Sequence, residues 1–206
     1  MKAKWNRWLP VVFIAIFAVS RWPALFPPGF SVAYALAFCA GVYFRGASAW
    51  WLTLGVMAAT DVTLNLFYYH VAPFGFYLLL NYAVYAVLIG LGKWFGRRAG
   101  FFKLLMGGLL GAVIFYLVTN TLSWFQDAGY ARTLAGWLQA LTIGHPEIHP
   151  TTLEFFRNTL ASGGLFTALF VGAEKLTSAE SPADKTAGAR EPEEDEAEPE
   201  PKEAEA

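Results

Sequence analysis

Residues 49–69 read AWWLTLGVMAATDVTLNLFYY, an apolar run of 21 residues that holds one carboxylate, Asp61. About 20 apolar residues are enough for a helix to cross the hydrocarbon layer of a bilayer. Asp61 is the only acidic residue among positions 1–126. An ionisable side chain at bilayer depth costs about 2.5–3.5 kcal/mol on insertion scales, and it normally faces a bundle interior or a water-filled cavity. Asp61 is therefore a candidate site residue.

The composition favours a membrane protein with a charged tail. Hydrophobic residues make up 56% of the chain, aromatic residues 17%, and the mean hydropathy is +0.40. The formal net charge of −1 hides a segregation, because 11 of the 16 acidic residues but only 3 of the 15 basic residues lie from position 180 onward. We predict a transmembrane domain over 1–176 and a disordered acidic cytoplasmic tail over 177–206. Cys39 is the only cysteine, which excludes an internal disulfide.

Six apolar runs predict an all-α membrane protein, a bundle of six transmembrane helices. The runs are about Trp8–Trp22, Phe30–Phe44, Ala49–Tyr69, Ala72–Phe95, Phe102–Phe125 and Thr151–Leu176. The first two are short for a full crossing, so we expect them to dip or tilt. Between the last two runs, apolar residues recur at helical spacing over Tyr130–Ile143, which predicts a short interfacial helix.

The basic residues set the orientation of the bundle. With the N-terminus inside, nine of them lie on the cytoplasmic side and three outside, as the positive-inside rule requires. The inner set is Lys2, Lys4, Arg7, Arg45, Lys93, Arg97, Arg98, Lys103 and Lys175, and the outer set is Arg21, Arg132 and Arg157. This predicts a bacterial inner-membrane protein with both termini cytoplasmic. The alternative is a signal peptide cleaved after Ala18-Val19-Ser20, which would leave five spans.

Counting depth along the predicted spans brings polar side chains from five spans to one level in the outer half of the bilayer. The candidate substrate-binding residues are Arg21, Asp61, Asn65, Asn81, Asn120, Trp124, Arg157 and Asn158. Together they predict a water-accessible outer cavity. The arginines would hold an acidic or carbonyl group bidentately, and Trp124 would offer a stacking surface.

Two structural interpretations stay open beside this one. An asparagine in a membrane helix commonly makes an interhelical hydrogen bond worth about 0.6 kcal/mol. In the second interpretation, Asp61 forms an ion pair with Arg21 or Arg157, and this pair stabilises the packing of the bundle.

The remaining motifs predict no catalysis. We find no phosphate-binding Gly-rich loop, no paired aspartate at one depth and no zinc-protease helix motif, so we expect neither an enzyme nor a cofactor. His145 and His149 are four residues apart, but Pro146 and Pro150 disfavour the helix that would align them on a metal. No nucleic-acid partner is expected. The small residues of Gly107-x-x-x-Gly111 predict close helix packing, within the bundle or against a partner protein.

Several motifs resemble those of an uncharacterised bacterial integral-membrane family. They cover about Ala18 to Leu176 and are Ser20-Arg21-Trp22-Pro23, Phe26-Pro27-Pro28-Gly29-Phe30-Ser31, Asp61, Thr119-Asn120 with Trp124, Tyr130-x-Arg132-Thr133-Leu134-Ala135-Gly136, and Phe155-Phe156-Arg157-Asn158-Thr159-Leu160. That family is distantly similar to the substrate-binding S components of energy-coupling-factor vitamin transporters.

The resemblance implies a six-helix protein that captures a small, vitamin-like molecule in an outward-facing cavity. It also implies partner subunits, an ATPase and a coupling protein, for uptake. One departure concerns the small-residue face of the first helix, where Ala15 and Ala18 are three residues apart rather than four. The alternative function is a non-transport membrane scaffold or envelope-assembly protein, in which the polar residues only fix the packing.

Overall fold

The computed structural model describes residues 2–22, 25–147 and 150–179, with side chains from residue 11 to residue 176 within those ranges. These residues form seven α-helices and no strand. The helices are α1 (Lys2–Ser20), α2 (Ala33–Tyr43), α3 (Ser48–Phe67), α4 (Phe76–Phe95), α5 (Phe101–Gln126), α6 (Leu134–Leu141) and α7 (Thr152–Ala179). Each predicted span overlaps one helix, and α6 lies within the segment predicted to form a short interfacial helix. The segment 180–206, most of the predicted tail, lies outside the described residues.

The short helix α2 is the centre of the bundle. Its 11 residues span about 16 Å, half the ~30 Å of a bilayer's hydrocarbon core. Ten of them are buried, and the helix packs against α1, α3, α4, α5 and α7. The apolar run that looked too short for a crossing is thus a core helix surrounded by the others. The lone cysteine, Cys39, is fully buried within it.

Glycines set the closest approach of α2 to α4. A Cβ on Gly41 would collide with the carbonyl oxygen of Ile89, and one on Gly92 would collide with that of Phe38. Backbone occupies the space that a side chain needs, so both positions require glycine. The two helices therefore touch along their main chains.

The small-residue face of α5 also packs inside the bundle. A Cβ on Gly107 would meet the rings of Phe38 and Phe95, and a Cβ on Gly108 would meet Thr167 on α7. Of the two alternatives for this motif, the structure shows helix packing within the chain.

Two helices in the described part of the chain are long and apolar enough to cross a membrane, by length and composition. They are α4 and α5, and only 28% and 33% of the residues in their most apolar stretches are buried. Large apolar side chains such as Trp51, Leu79, Trp94 and Phe102 lie on the outside of the bundle.

Polar contacts fix the end of the bundle that carries the α2–α3 and α4–α5 turns. Arg97 donates to the carboxylate of Glu174, which is 3% exposed. Lys175 bonds the carbonyl of Ala99 at 3.0 Å, and Lys93 bonds that of Gly46 at 3.2 Å. The polar residues singled out from the sequence all lie in the outer halves of the predicted spans, so the contact of Glu174 at the opposite end was not predicted.

Candidate functional site

Asp61 is the acceptor of a polar cluster that joins three helices. Arg21, which follows α1, donates to Oδ1 of Asp61 on α3, and the hydroxyl of Tyr82 on α4 donates to Oδ2 at 2.9 Å. Of the two arginines considered as partners, the structure selects Arg21.

Two of the predicted asparagines hold loops rather than helices. Asn65 donates to the carbonyl of Pro73 at 3.3 Å and closes the α3–α4 turn. Asn158 donates to the carbonyl of Pro28 at 2.9 Å and ties α7 to the loop after α1. Each amide thus ties a loop carbonyl to a helix.

The other predicted residues have separate surroundings. Trp124 donates from its indole to the carbonyl of Ala131 at 2.8 Å, and Arg132 lies 6.0 Å from its ring centroid. Arg157 is exposed and Asn81 is half-buried. The cluster around Asp61 does not include them.

A cavity of about 350 Å³ opens between the ends of α2, α4, α5 and α7. Its described lining consists of hydroxyl-bearing and aromatic side chains with one amide and one glycine: Gly29, Tyr34, Tyr77, Phe115, Tyr116, Thr119, Asn120, Thr152, Phe155 and Thr159. The volume lies at the lower end of the ~300–1,000 Å³ typical of small-molecule pockets.

The loop after α1 forms one edge of this cavity. Gly29 has a left-handed φ of 79°, and a Cβ there would lie 2.8 Å from the ring of Phe155. Its carbonyl accepts from Tyr34 and from Thr159, both at 3.3 Å. A glycine in this conformation lets the loop backbone lie directly against α7.

Most hydroxyl groups in the described lining donate their proton to a backbone carbonyl. Thr119 donates to the carbonyl of Phe115 at 2.8 Å, and Tyr116 donates to that of Leu141. The amide of Asn120 donates to the carbonyl of Tyr116 at 2.8 Å. The oxygens of these two hydroxyls and of the amide remain as acceptors, and the amide keeps a second N–H as a donor.

Of the eight residues predicted from the sequence, Asn120 is the one in the described lining. Whether the other seven contact a ligand stays a prediction. The sequence count weighed only strongly polar side chains, so it missed the tyrosines and threonines of the lining. The available signal was Tyr34, Tyr77, Thr119 and Thr159, hydroxyl groups at the outer ends of their predicted spans.

A second polar contact lies in the loops around α6. His145 Nε2 is 2.6 Å from Asp127 Oδ2, and the ring of Tyr130 packs at a tilt against the imidazole, with ring centroids 4.4 Å apart. The N–H of Gly129 and the adjacent His145 hold the pKa of Asp127 below its usual range. Burial raises the pKa of Tyr130. No group of three metal-ligating side chains occurs within the described ranges, and His149 lies outside them.

Comparison with known proteins gives one match. A family model described as a family of unknown function (DUF6580) matches residues 1–184. No curated protein and no solved structure matches the chain.

Proposed function

We propose that this chain, which belongs to the DUF6580 family, is a multi-pass inner-membrane protein that binds a small molecule in a cavity open to the outside. The observation that carries the proposal is the position of the 350 Å³ cavity. It lies at the ends of four helices that the basic residues assign to the outer side.

The membrane location is supported by the surface of the bundle. A core helix of a soluble protein is mostly buried, whereas only 28% and 33% of the residues in the most apolar stretches of α4 and α5 are buried. Exposed apolar surface of this extent is normally covered by another protein or by a membrane, and lipid would cover it along every outer helix. The hydroxyls of Thr60 and Thr63 donate to backbone carbonyls of their own helix, so neither needs water as a partner.

The orientation is supported by the inner end of the bundle. Arg97, Lys93 and Lys175 all bond to groups at that end. The contacts tie the α2–α3 and α4–α5 turns and α7 together on the side opposite the cavity. A protein closed inside and open outside is the form that captures a ligand from the exterior.

The scaffold function is the second candidate, and a specific observation favours it. Arg21, Asp61, Asn65 and Asn158 each have a partner within the chain. In this case the polar residues would only fix the bundle, and the cavity would hold water.

Cysteine labelling tests the proposal. In a Cys39→Ala background, we place single cysteines at Asn120 or Thr152 in the cavity and treat intact cells with a membrane-impermeant maleimide. We expect both to be labelled from outside. The matched control is Ala47→Cys in the exposed α2–α3 turn, which should be labelled only after the membrane is permeabilised.

The reverse pattern, with Ala47→Cys labelled in intact cells and both cavity positions protected, would overturn the proposed orientation. Native mass spectrometry of the protein from its own membrane would then show whether a small molecule is retained. Retention supports binding, and an empty cavity under gentle extraction supports the scaffold.

Uptake of the ligand is a further part of the proposal and needs partner subunits. The similarity to S components of vitamin transporters implies an ATPase and a coupling protein. Co-purification from native membranes tests this part: recovery of an ATPase supports transport, and its absence leaves binding without uptake.

A further inference from the structure

We infer that the cavity takes an uncharged, planar molecule that carries N–H or O–H donors. This inference rests on the proposed function, because it names the ligand class of the same site. It differs from the sequence-based expectation of an acidic group held by arginines.

The charge balance around the cavity favours a neutral ligand. No residue in its described lining carries a formal charge. Arg21 and Asp61 lie outside that lining and are paired with each other. At the start of α7, Glu154 accepts from the N–H of Thr151 at 2.7 Å, and its carboxylate offsets the positive end of the helix. A charged ligand would be desolvated here without an opposite charge.

The hydrogen-bond directions favour a ligand that donates. Tyr34, Tyr116, Thr119 and Thr159 have each turned a hydroxyl proton to a backbone carbonyl. Asn120 offers its side-chain oxygen. A ligand therefore meets more lone pairs than free donors, and only N–H or O–H groups can satisfy those lone pairs. The donors that remain in the described lining are the hydroxyls of Tyr77 and Thr152 and the second N–H of Asn120.

The aromatic lining favours a flat ligand. Phe115 contacts Tyr34 at a centroid distance of 4.7 Å and Tyr85 at 5.2 Å, and Tyr116 stacks on Phe156 at 4.2 Å. Neighbouring rings thus hold the lining rings in place. Rigid aromatic walls bind planar groups by stacking at little entropic cost.

One series of probes with a common ring tests the class. Benzamide is neutral and has two N–H donors, N,N-dimethylbenzamide is neutral without donors, benzoate is an anion and benzamidinium is a cation. Binding is measured as protection of Thr152→Cys, in the Cys39→Ala background, from the maleimide, because Asn120 is one of the proposed acceptors. We expect benzamide to protect at the lowest concentration of the four.

Hydroxyl variants test the donor requirement. Thr119→Val and Thr159→Val should weaken benzamide about five- to tenfold and leave N,N-dimethylbenzamide unchanged. Thr119→Ser, which keeps the hydroxyl, should restore benzamide binding. Thr60→Val is the matched control, because its hydroxyl bonds within α3 and lies outside the cavity lining; it should change neither probe.

The outcomes separate the two proposals. Tighter binding of benzoate or benzamidinium, or equal binding of benzamide and its dimethyl form, overturns the ligand class. So does the failure of all four probes when Thr152→Cys is labelled from outside. If neither Asn120→Cys nor Thr152→Cys is reached from outside, the proposed function itself fails.

Discussion

Arg21 and Asp61 close an ion pair between the end of α1 and the middle of α3, and Tyr82 of α4 occupies the second carboxylate oxygen. The side chains are 29% and 12% exposed, respectively. Both carboxylate oxygens of Asp61, the one acidic residue of the first five helices, therefore accept a hydrogen bond. These contacts join α3 to α4 and to the end of α1 at one point.

The double-mutant cycle of Asp61→Asn and Arg21→Gln measures this coupling. Each single change leaves a partly buried group without its partner, so we expect a loss of about 1–3 kcal/mol. This is less than the ~3–5 kcal/mol of a fully buried pair, because Arg21 keeps access to solvent. The double variant should lose less than the sum of the two. Melting in lipid nanodiscs gives the values, and strict additivity would contradict the pairing.

Gly108→Ala tests the packing of α5 against α7. The new Cβ would meet Thr167, with Cγ2 at 2.7 Å and Cβ at 2.8 Å. The helices must separate or Thr167 must shift, and overpacking of this kind costs about 1–3 kcal/mol. Thermal unfolding in detergent is the measurement.

The matched control for that change is Gly172→Ala on α7. A Cβ at Gly172 meets no atom within 4 Å, and alanine favours the helix by about 0.5–1 kcal/mol. We expect its melting temperature to stay level or rise. Equal losses in both variants would mean that the α5–α7 contact is not tightly packed.

The contact of Asp127 with His145 predicts a pH dependence. Its partners lower the pKa of Asp127 in the folded protein, so the carboxylate stabilises the fold above its ordinary pKa of about 4. That contribution disappears as the pH falls through the lowered value. We expect Asp127→Asn to reduce the melting temperature at neutral pH and to approach the native protein under acid conditions. A difference that stays constant with pH would contradict this.

Tyr116→Phe tests how α6 is held on the bundle. The hydroxyl of Tyr116 donates to the carbonyl of Leu141 at the end of α6, and its loss should cost about 1 kcal/mol. Hydrogen exchange over residues 134–141 should become faster, while that over α2 should not change. Trp137→Phe, which removes the 2.9 Å bond to Thr121, should act in the same direction. Unchanged exchange in both variants would show that apolar packing alone docks α6.

The sequence predicted the helices well because each is an apolar run of its own. Residues 102–125 are apolar enough to be helical in any arrangement, and the structure has α5 over 101–126. The sequence could not show that α2 is surrounded by five helices, since its apolar run reads like any other. The central position of α2 depends on the close contacts of Gly41 and Gly92, and these contacts exist only when α4 lies against α2.

By itself, the sequence determined the number of helical segments, the segregation of charge and the isolation of Asp61. These follow from hydropathy and length, which are properties of consecutive residues. Only the tertiary structure decided that Asp61 pairs with Arg21 rather than Arg157, and that hydroxyls and rings line the cavity. The reason is physical: depth along a helix can be counted from the sequence, whereas the direction in which a side chain points depends on how each helix is rotated against its neighbours.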